Sequence, residues 1–277
     1  VEYRGFHVHR GIEKLGESRL TYNQIPFVAE RICGICGFVH SVCYCQAVEN
    51  AAGIEVPERA HYIRSLLLEI ERLHSHLLWL GVACHVLGFD TGFMHAWRIR
   101  EPVMDIAELL TGNRKTYGIN LVGGIRRDIN NDARNKVLKM LKNVKDEYIK
   151  FINNLTGIKE IIKRLEGSGK LSPSDAISYG VCGPTARGSG VKRDVRVDHP
   201  YAAYKEVSFN VPVFSEGDNM ARLMVRINEV FEAISIIEQL LDRMPKGPIM
   251  AEEIELPEYR KGFSAAEAPR GEDVHFV

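Results

Sequence analysis

The sequence predicts a mainly α protein with minor β elements, and three stretches carry that prediction. Between Pro57 and Gly88, Ile63, Leu66, Leu67, Ile70, Leu73, Leu77, Leu78 and Leu80 recur at helical spacing. Asp218 to Arg243 repeats the pattern with Met220, Leu223, Val225, Ile227, Val230, Ile234, Ile237 and Leu241. From Asn130 to about Leu165 a Lys-rich stretch carries one narrow stripe of Val137, Leu141, Val144, Tyr148, Ile152 and Leu155. A single narrow stripe predicts a helix or helix pair whose opposite face is solvated.

The remaining elements follow in order. Alternation from Tyr3 to Arg10 predicts a strand or two, and a short helix starts near Ile12. Ser41 to Ala52 reads as a helix ended by Gly53. Pro57 suits the first position of the central helix, where a missing N–H costs nothing. Apolar residues cover much of that helix's circumference in its second half, so it is expected at the centre of the core. Pro102 to Leu110 is expected as a shorter helix, followed by a Gly-rich stretch reaching Asp128. Gly167-Ser168-Gly169 breaks the Lys-rich segment. Residues 170–215 are rich in Gly, Pro and short β-branched pieces, and are expected to be mainly loops with a few strands. Pro245, Pro248 and Pro257 end helical structure. No internal repeat or low-complexity linker divides residues 1–277, so one continuous domain is expected.

Composition narrows the function. The chain has 277 residues, 45% hydrophobic and 26% charged, with a formal net charge of zero. Nothing in that balance favours nucleic acid or an anionic membrane surface. The basic stretch Lys192-Arg193-Asp194-Val195-Arg196 is interrupted by Asp194 and followed by Asp198. No apolar run reaches the roughly 20 residues that span a bilayer, and Leu77 to Phe89 is too short and carries Cys84 and His85. A membrane role is therefore expected to be peripheral, through partners. The chain starts on Val1 rather than Met and stops at Phe276-Val277 without a closing signal, so further sequence is expected on both sides.

The chemistry concentrates in Arg31-Ile32-Cys33-Gly34-Ile35-Cys36-Gly37-Phe38-Val39-His40. A Cys-x-x-Cys closes two sulfurs on one metal ion, because a tight turn or first helical turn brings them to one side. Zinc, an iron–sulfur cluster, or a nickel or iron centre all suit this spacing. A zinc knuckle needs a second Cys-x-x-Cys or a His pair at finger spacing, and there is none. His40 is a ligand or a hydrogen-bond donor that orients a thiolate. Cys43 and Cys45 are offset by two on a helix, so their thiols point in different directions. Cys84 and Cys182 read as small buried hydrophobes. Upstream, Glu13 follows Arg10-Gly11-Ile12. It is either a proton carrier whose pKa burial raises, or a first-turn glutamate favoured by the helix dipole. Arg270, between Pro269 and Gly271, is either an anion-stabilising guanidinium or part of an ordinary exposed loop. His74 and His76 face different sides of the central helix, so at most one lines a site.

These segments resemble the large subunit of nickel–iron hydrogenases, in the membrane-associated, energy-converting branch of formate hydrogenlyase type. The resemblance runs from Phe6-His7-Val8-His9-Arg10-Gly11 through the cysteine pair, Val48-Glu49-Asn50-Ala51 and Glu71-Arg72-Leu73-His74-Ser75-His76. It continues through Leu110-Thr111-Gly112-Asn113, Gly124-Ile125-Arg126-Arg127-Asp128, Asp198-His199-Pro200-Tyr201 and Glu267-Ala268-Pro269-Arg270-Gly271. Several segments are also similar to the related 49-kDa-type subunit of respiratory complex I, which is expected to lack the Cys-x-x-Cys. The resemblance implies a hydrogenase large-subunit-like helical core and an oxidoreductase that oxidises dihydrogen or reduces protons. It implies that Cys33 is a terminal nickel ligand and that Cys36 bridges nickel and iron, with carbon monoxide and cyanide on the iron. Glu13 would be the first proton acceptor, and His40 would hydrogen-bond near the bridging sulfur. Pro269 and Arg270 would lie over the cyanide ligands and bound dihydrogen. Heterolytic cleavage needs an electrophilic metal and a nearby base, and soft thiolates suit nickel and low-spin iron.

The family draws its other two cysteines from a C-terminal Cys-x-x-Cys, expected here beyond residue 277; the C-terminal part of the family domain is thus absent from this sequence. Cys43 and Cys45 match no family ligand. The chain has too few cysteines for an iron–sulfur cluster of its own, so an iron–sulfur small subunit is implied. Membrane subunits of a complex I-like assembly are the other implied partners, placing the chain in the cytoplasm on the inner face of the cell membrane. The alternative reading is a related subunit that acts on sulfane sulfur or quinone without dihydrogen chemistry. A structural zinc-binding or assembly subunit is a third.

Overall fold

The computed structural model describes Glu2, Arg4, Gly5 and residues 10–277. The strand expected between Tyr3 and Arg10 falls largely outside those residues. The described part opens with α1 (Ile12–Arg19) and α2 (Ile25–Ala29). The cysteine pair follows and leads into α3 (Gly37–Ala52), which Gly53 closes in the left-handed conformation at φ 70. The helix begins four residues earlier than the sequence suggests, because Cys36 itself is its N-cap.

The central helix is α4 (Glu58–Val86), with Pro57 as its N-cap rather than its first helical residue. It packs against α5 (Asp90–Thr111) and α11 (Asn219–Arg243). Most of its circumference is buried from Ala60 to Leu80, as the all-round apolar pattern requires. Polar residues on such a helix need internal partners, and Arg64, Glu69, Glu71, Arg72, His74 and His76 are all buried on it.

Two expectations are corrected. The helix predicted from Pro102 starts twelve residues earlier, at Asp90, and Pro102 lies inside it. Proline removes the N–H that would bond the Arg98 carbonyl. Arg98 is exposed, so water can serve that carbonyl. Residues 170–215 are mainly loops and turns, as expected, but the regular pieces among them are α8 (Pro173–Ser178), α9 (Gly183–Arg187), α10 (Val195–Asp198) and a 3-10 turn (Tyr204–Glu206) in place of strands. Ser172 and Asp194 cap their helices, accepting from the N–H groups of Asp175 and Arg196. Here the caps and the prolines of the first turns start short helices between the loops.

The Lys-rich segment is a helix pair, α6 (Asn131–Thr156) and α7 (Lys159–Leu165), and the predicted stripe from Val137 to Leu155 is its buried face. Asp218 caps α11 through Ala221 N. Among the described residues the strands form two antiparallel hairpins. One joins β1 (Asn120–Leu121) to β2 (Gly124–Ile125). The other joins β3 (Phe263–Ala268) to β4 (Gly271–Phe276) with Phe263 opposite Phe276 and Ala268 opposite Gly271. This second hairpin lies on α3 so closely that a Cβ on Gly262 would meet the Ala47 carbonyl oxygen at 1.9 Å. Among the described residues, no helix is long and apolar enough to cross a membrane.

Candidate metal centre

The cysteine pair sits on the loop between α2 and α3. The Cys33 Sγ accepts the backbone N–H groups of Ile35 and Cys36, each at 3.4 Å. A hydrogen bond from the Cys36 thiol holds Cys33 down at about 5 against the opposing effect of burial. That same bond, with burial behind it, pushes Cys36 up. The two sulfurs thus share one proton, as adjacent thiols prepared for one cation do. Cys36 stands at the N-terminus of α3, where the helix dipole favours negative charge. Two neighbouring cysteines, one with its thiol acidity raised, fit a soft metal. They supply two of the positions such an ion needs.

The neighbouring backbone fixes this geometry. A Cβ on Gly37 would meet the Glu30 carbonyl oxygen at 2.3 Å, so only glycine fits directly after Cys36. The Glu71 carboxylate reaches from α4 and accepts the N–H groups of Phe38 at 2.9 Å and Val39 at 3.0 Å. Lys115 donates to the same carboxylate at 3.2 Å. Burial raises the Glu71 pKa, with Lys115 opposing. The Arg10 guanidinium holds the approach to the pair, donating to the carbonyls of Arg31 at 2.5 Å and Ile32 at 3.1 Å.

The other predicted residues are distributed unevenly. His40 lies one turn beyond Cys36 on α3. Its Nδ1 faces Asp273 Oδ1 at 3.0 Å and His275 Nε2 at 3.3 Å, and it makes no hydrogen bond to either sulfur. Burial opposes its protonation, and Asp273 outweighs burial and raises its pKa. Glu13 is exposed in the first turn of α1. There the positive end of the helix favours its charge, and the carboxylate is open to solvent rather than buried. Pro269 and Arg270 form the two-residue turn of the second hairpin, with Pro269 buried and Arg270 exposed. The Arg270 carbonyl lies 2.6 Å from where a Cβ on Gly183 would stand, so this turn is seated on the start of α9.

Of His74 and His76, His76 is the satisfied core residue, bonded to Glu229 at 2.7 Å. His74 is buried beside the Ile35 backbone, and its Nε2 lacks an aligned hydrogen-bond partner. Cys43 and Cys45 do diverge. The Cys43 thiol donates to the Ser264 carbonyl at 3.2 Å, whereas Cys45 packs with Tyr44, Val48 and Val122. Burial pushes Cys43 up to about 12, so it is an inert thiol. Cys84 is a core residue, as expected; Cys182 is half-buried and donates to the Gly180 carbonyl.

Sequence reasoning missed Glu71 beside the pair, and Asp273 and His275 beside His40. A glutamate on a helix apolar all round was the available signal for Glu71. Asp273 and His275 alternate on β4, and that spacing is visible only once the strand is known.

Comparison with known proteins fits this geometry. The family model for nickel-dependent hydrogenase matches residues 10–90, which hold the cysteine pair. The model for the 49 Kd subunit of respiratory-chain NADH dehydrogenase matches residues 87–276. Formate hydrogenlyase subunit 5 of Escherichia coli is 48% identical over 276 residues, covering 100% of this chain and 48% of that protein. The chain therefore spans about half the length of that relative. An NADH-quinone oxidoreductase subunit from Desulfotalea psychrophila is 41% identical over 96% of this chain and 72% of its own length. Among solved structures, a chain of the membrane-bound sulfane sulfur reductase, an archaeal respiratory membrane complex, matches with a TM-score of 0.92 at 36% identity. That match covers 98% of this chain and 75% of the other. The chain belongs to the oxidoreductase family that joins the large subunit of formate hydrogenlyase-type nickel–iron hydrogenases to the 49-kDa subunit of respiratory-chain NADH dehydrogenase.

Proposed function

We propose that this chain is the cysteine-pair-bearing part of the catalytic large subunit of a membrane-associated nickel–iron hydrogenase. Residues 1–277 act as one large-subunit-like domain. The observation that carries the reading is the pair of cysteines at the start of α3, with the Cys33 sulfur accepting the N–H groups of Ile35 and Cys36. Cys33 and Cys36 would hold a nickel–iron centre bearing carbon monoxide and cyanide, with the remaining two thiolates supplied from beyond residue 277. When bound, that centre supplies reversible dihydrogen oxidation and proton reduction.

The chain's own residues prepare the site. Glu71 and Gly37 fix the first turn of α3, so the two sulfurs are aimed before any metal arrives. The positive end of α3 offsets thiolate charge. Glu13 accepts the proton on a carboxylate oxygen, exposed on α1 and so able to pass it to water. Positive charge at His40, on the ring or on an ion the ring holds, favours the Cys33 thiolate. Pro269 closes the turn from within and Arg270 offers a guanidinium for anionic ligands. Electrons leave through a separate iron–sulfur small subunit, and membrane subunits of a complex I-like assembly hold the chain on the inner face of the membrane.

The test is made on the full complex, freshly matured. One nickel per large subunit and infrared bands of cyanide and carbonyl are expected, and Cys33→Ser and Cys36→Ser should each abolish both. Intact complex with neither nickel nor those bands sinks the reading. A second reading has a specific support, the match to a sulfane sulfur reductase chain over 98% of this sequence. It assigns sulfane sulfur or quinone reduction without dihydrogen chemistry. It predicts turnover with polysulfide or quinone by complex that shows no dihydrogen exchange.

A further inference from the structure

The second hairpin brings two groups to α3 that the cysteine chemistry does not use. Asp273 and His275 sit two apart on β4, so the strand presents both to the same side. There they meet His40. Three donor atoms converge, one from each side chain: His40 Nδ1, an Asp273 carboxylate oxygen and His275 Nε2, all within 4.8 Å of one another. The edges are 3.0 Å from His40 to Asp273 Oδ1, 3.3 Å from His40 to His275, and 3.6 Å from His275 to Asp273 Oδ2. Ligand atoms around a tetrahedral ion with bonds of about 2.0–2.1 Å lie about 3.3 Å apart. The separation of the two ring nitrogens matches that value, and the two carboxylate contacts, each made by a different oxygen of Asp273, lie on either side of it.

Hydrogen bonding alone leaves the cluster incomplete. A single N–H on His40 Nδ1 cannot serve both Asp273 and His275. Asp273 Oδ2 is buried and has no hydrogen-bond partner. A cation between the three would accept a lone pair from each side chain in place of the missing hydrogen bond. The side chains are 16%, 12% and 16% exposed for His40, Asp273 and His275, enclosed enough to be held still and open enough for an ion to enter. They are also held from behind. His275 lies edge-on to Tyr44 at 6.4 Å, and the Asp273 carbonyl accepts the Cys43 thiol at 3.6 Å.

We propose that His40, Asp273 and His275 form a binding site for a divalent transition-metal ion, separate from the cysteine pair. Two imidazoles and one carboxylate suit zinc, cobalt or nickel over magnesium or calcium. The three side chains leave one tetrahedral position for water. The ion clamps the β3–β4 hairpin onto α3, and with it the Pro269–Arg270 turn. None of its donors is a thiol, so the site stands whether or not the hydrogenase reading does.

The test uses the full-length protein freed of metal by chelation. In a Cys33→Ser, Cys36→Ser background, calorimetric titration with zinc should show one ion per chain. Adding His275→Gln or Asp273→Asn should weaken it by at least about tenfold, with the helical circular dichroism unchanged. Cobalt added to the protein with its cysteines intact checks the result without those serines. Ligand-field bands should be lost on His275→Gln, while thiolate charge-transfer bands persist. Zinc affinity indifferent to both His275→Gln and Asp273→Asn, or cobalt bound only with thiolate bands, overturns the proposal.

Discussion

At the scale of single residues, Glu71 shows how a buried carboxylate prepares a site it does not chemically join. It accepts two backbone N–H groups at the first turn of α3 and balances Lys115. Those N–H groups have no partner inside α3 itself, since a helix leaves its first four donors open. Glu71→Ala should cost about 1–3 kcal/mol for each donor left buried and unpaired. Glu71→Gln keeps one acceptor oxygen and should cost less. Urea unfolding of the three proteins checks that order; equal stability of the alanine and glutamine variants contradicts it.

At the scale of elements, α3 is decided by a close approach. The chain from α2 passes over the start of α3 so tightly that Gly37 faces the Glu30 carbonyl. A backbone oxygen cannot swing away as a side chain does. Gly37→Ala should therefore separate α2 from α3 at a cost of about 1–3 kcal/mol, although alanine is the better helix former by up to about 1 kcal/mol. The measurement is a urea midpoint; a more stable alanine variant refutes the close approach as the reason for glycine. Glu49 and Arg64 tie the other end of α3 to α4 with bonds of 2.9 and 2.7 Å, and Arg64 also donates to the carbonyls of Leu121 and Gly124. One buried guanidinium thus joins two helices and the first hairpin.

At the scale of the whole molecule, an ionic network runs through the core. Glu69 on α4 meets Arg72 and Arg196; Arg187 on α9 meets Glu229 on α11, Glu267 on β3 and Asp194. The stretch that looked basic in the sequence is part of it. Arg196 is buried between Asp194 and Glu69, and the exposed Arg193 pairs with Glu272. Burial opposes the Glu229 charge, yet Arg187 and His76 prevail and hold its carboxyl well below the usual 4.5. Burial pushes His76 down to about 4 from 6.5, so it stays a neutral donor to Glu229. Both groups bind fewer protons folded than unfolded, so stability falls as pH falls. The His76 contribution is lost between pH 6.5 and about 4, and the Glu229 contribution below 4.5. Thermal melting should drop steadily from pH 6.5 downward, and His76→Gln should flatten the upper part of that slope. An unchanged slope in the variant removes His76 from the explanation.

Local spacing along the chain accounts for the helices and for half of the candidate site. Apolar repeats placed α4, α6 and α11 because a 3.6-residue period is written in consecutive residues. The Cys-x-x-Cys placed two sulfurs together for the same local reason, and the two-residue offset separated Cys43 from Cys45. Packing settled what remained. Pro102 lies within a helix because packing of α5 on α4 outweighs the local penalty of proline. His40 turns to Asp273 and His275, more than 200 positions away, because the hairpin folds back onto α3. The Arg196 charge became internal because Glu69 stands opposite it on α4. Contacts of that kind join residues far apart in the chain, and spacing along a sequence carries no record of them.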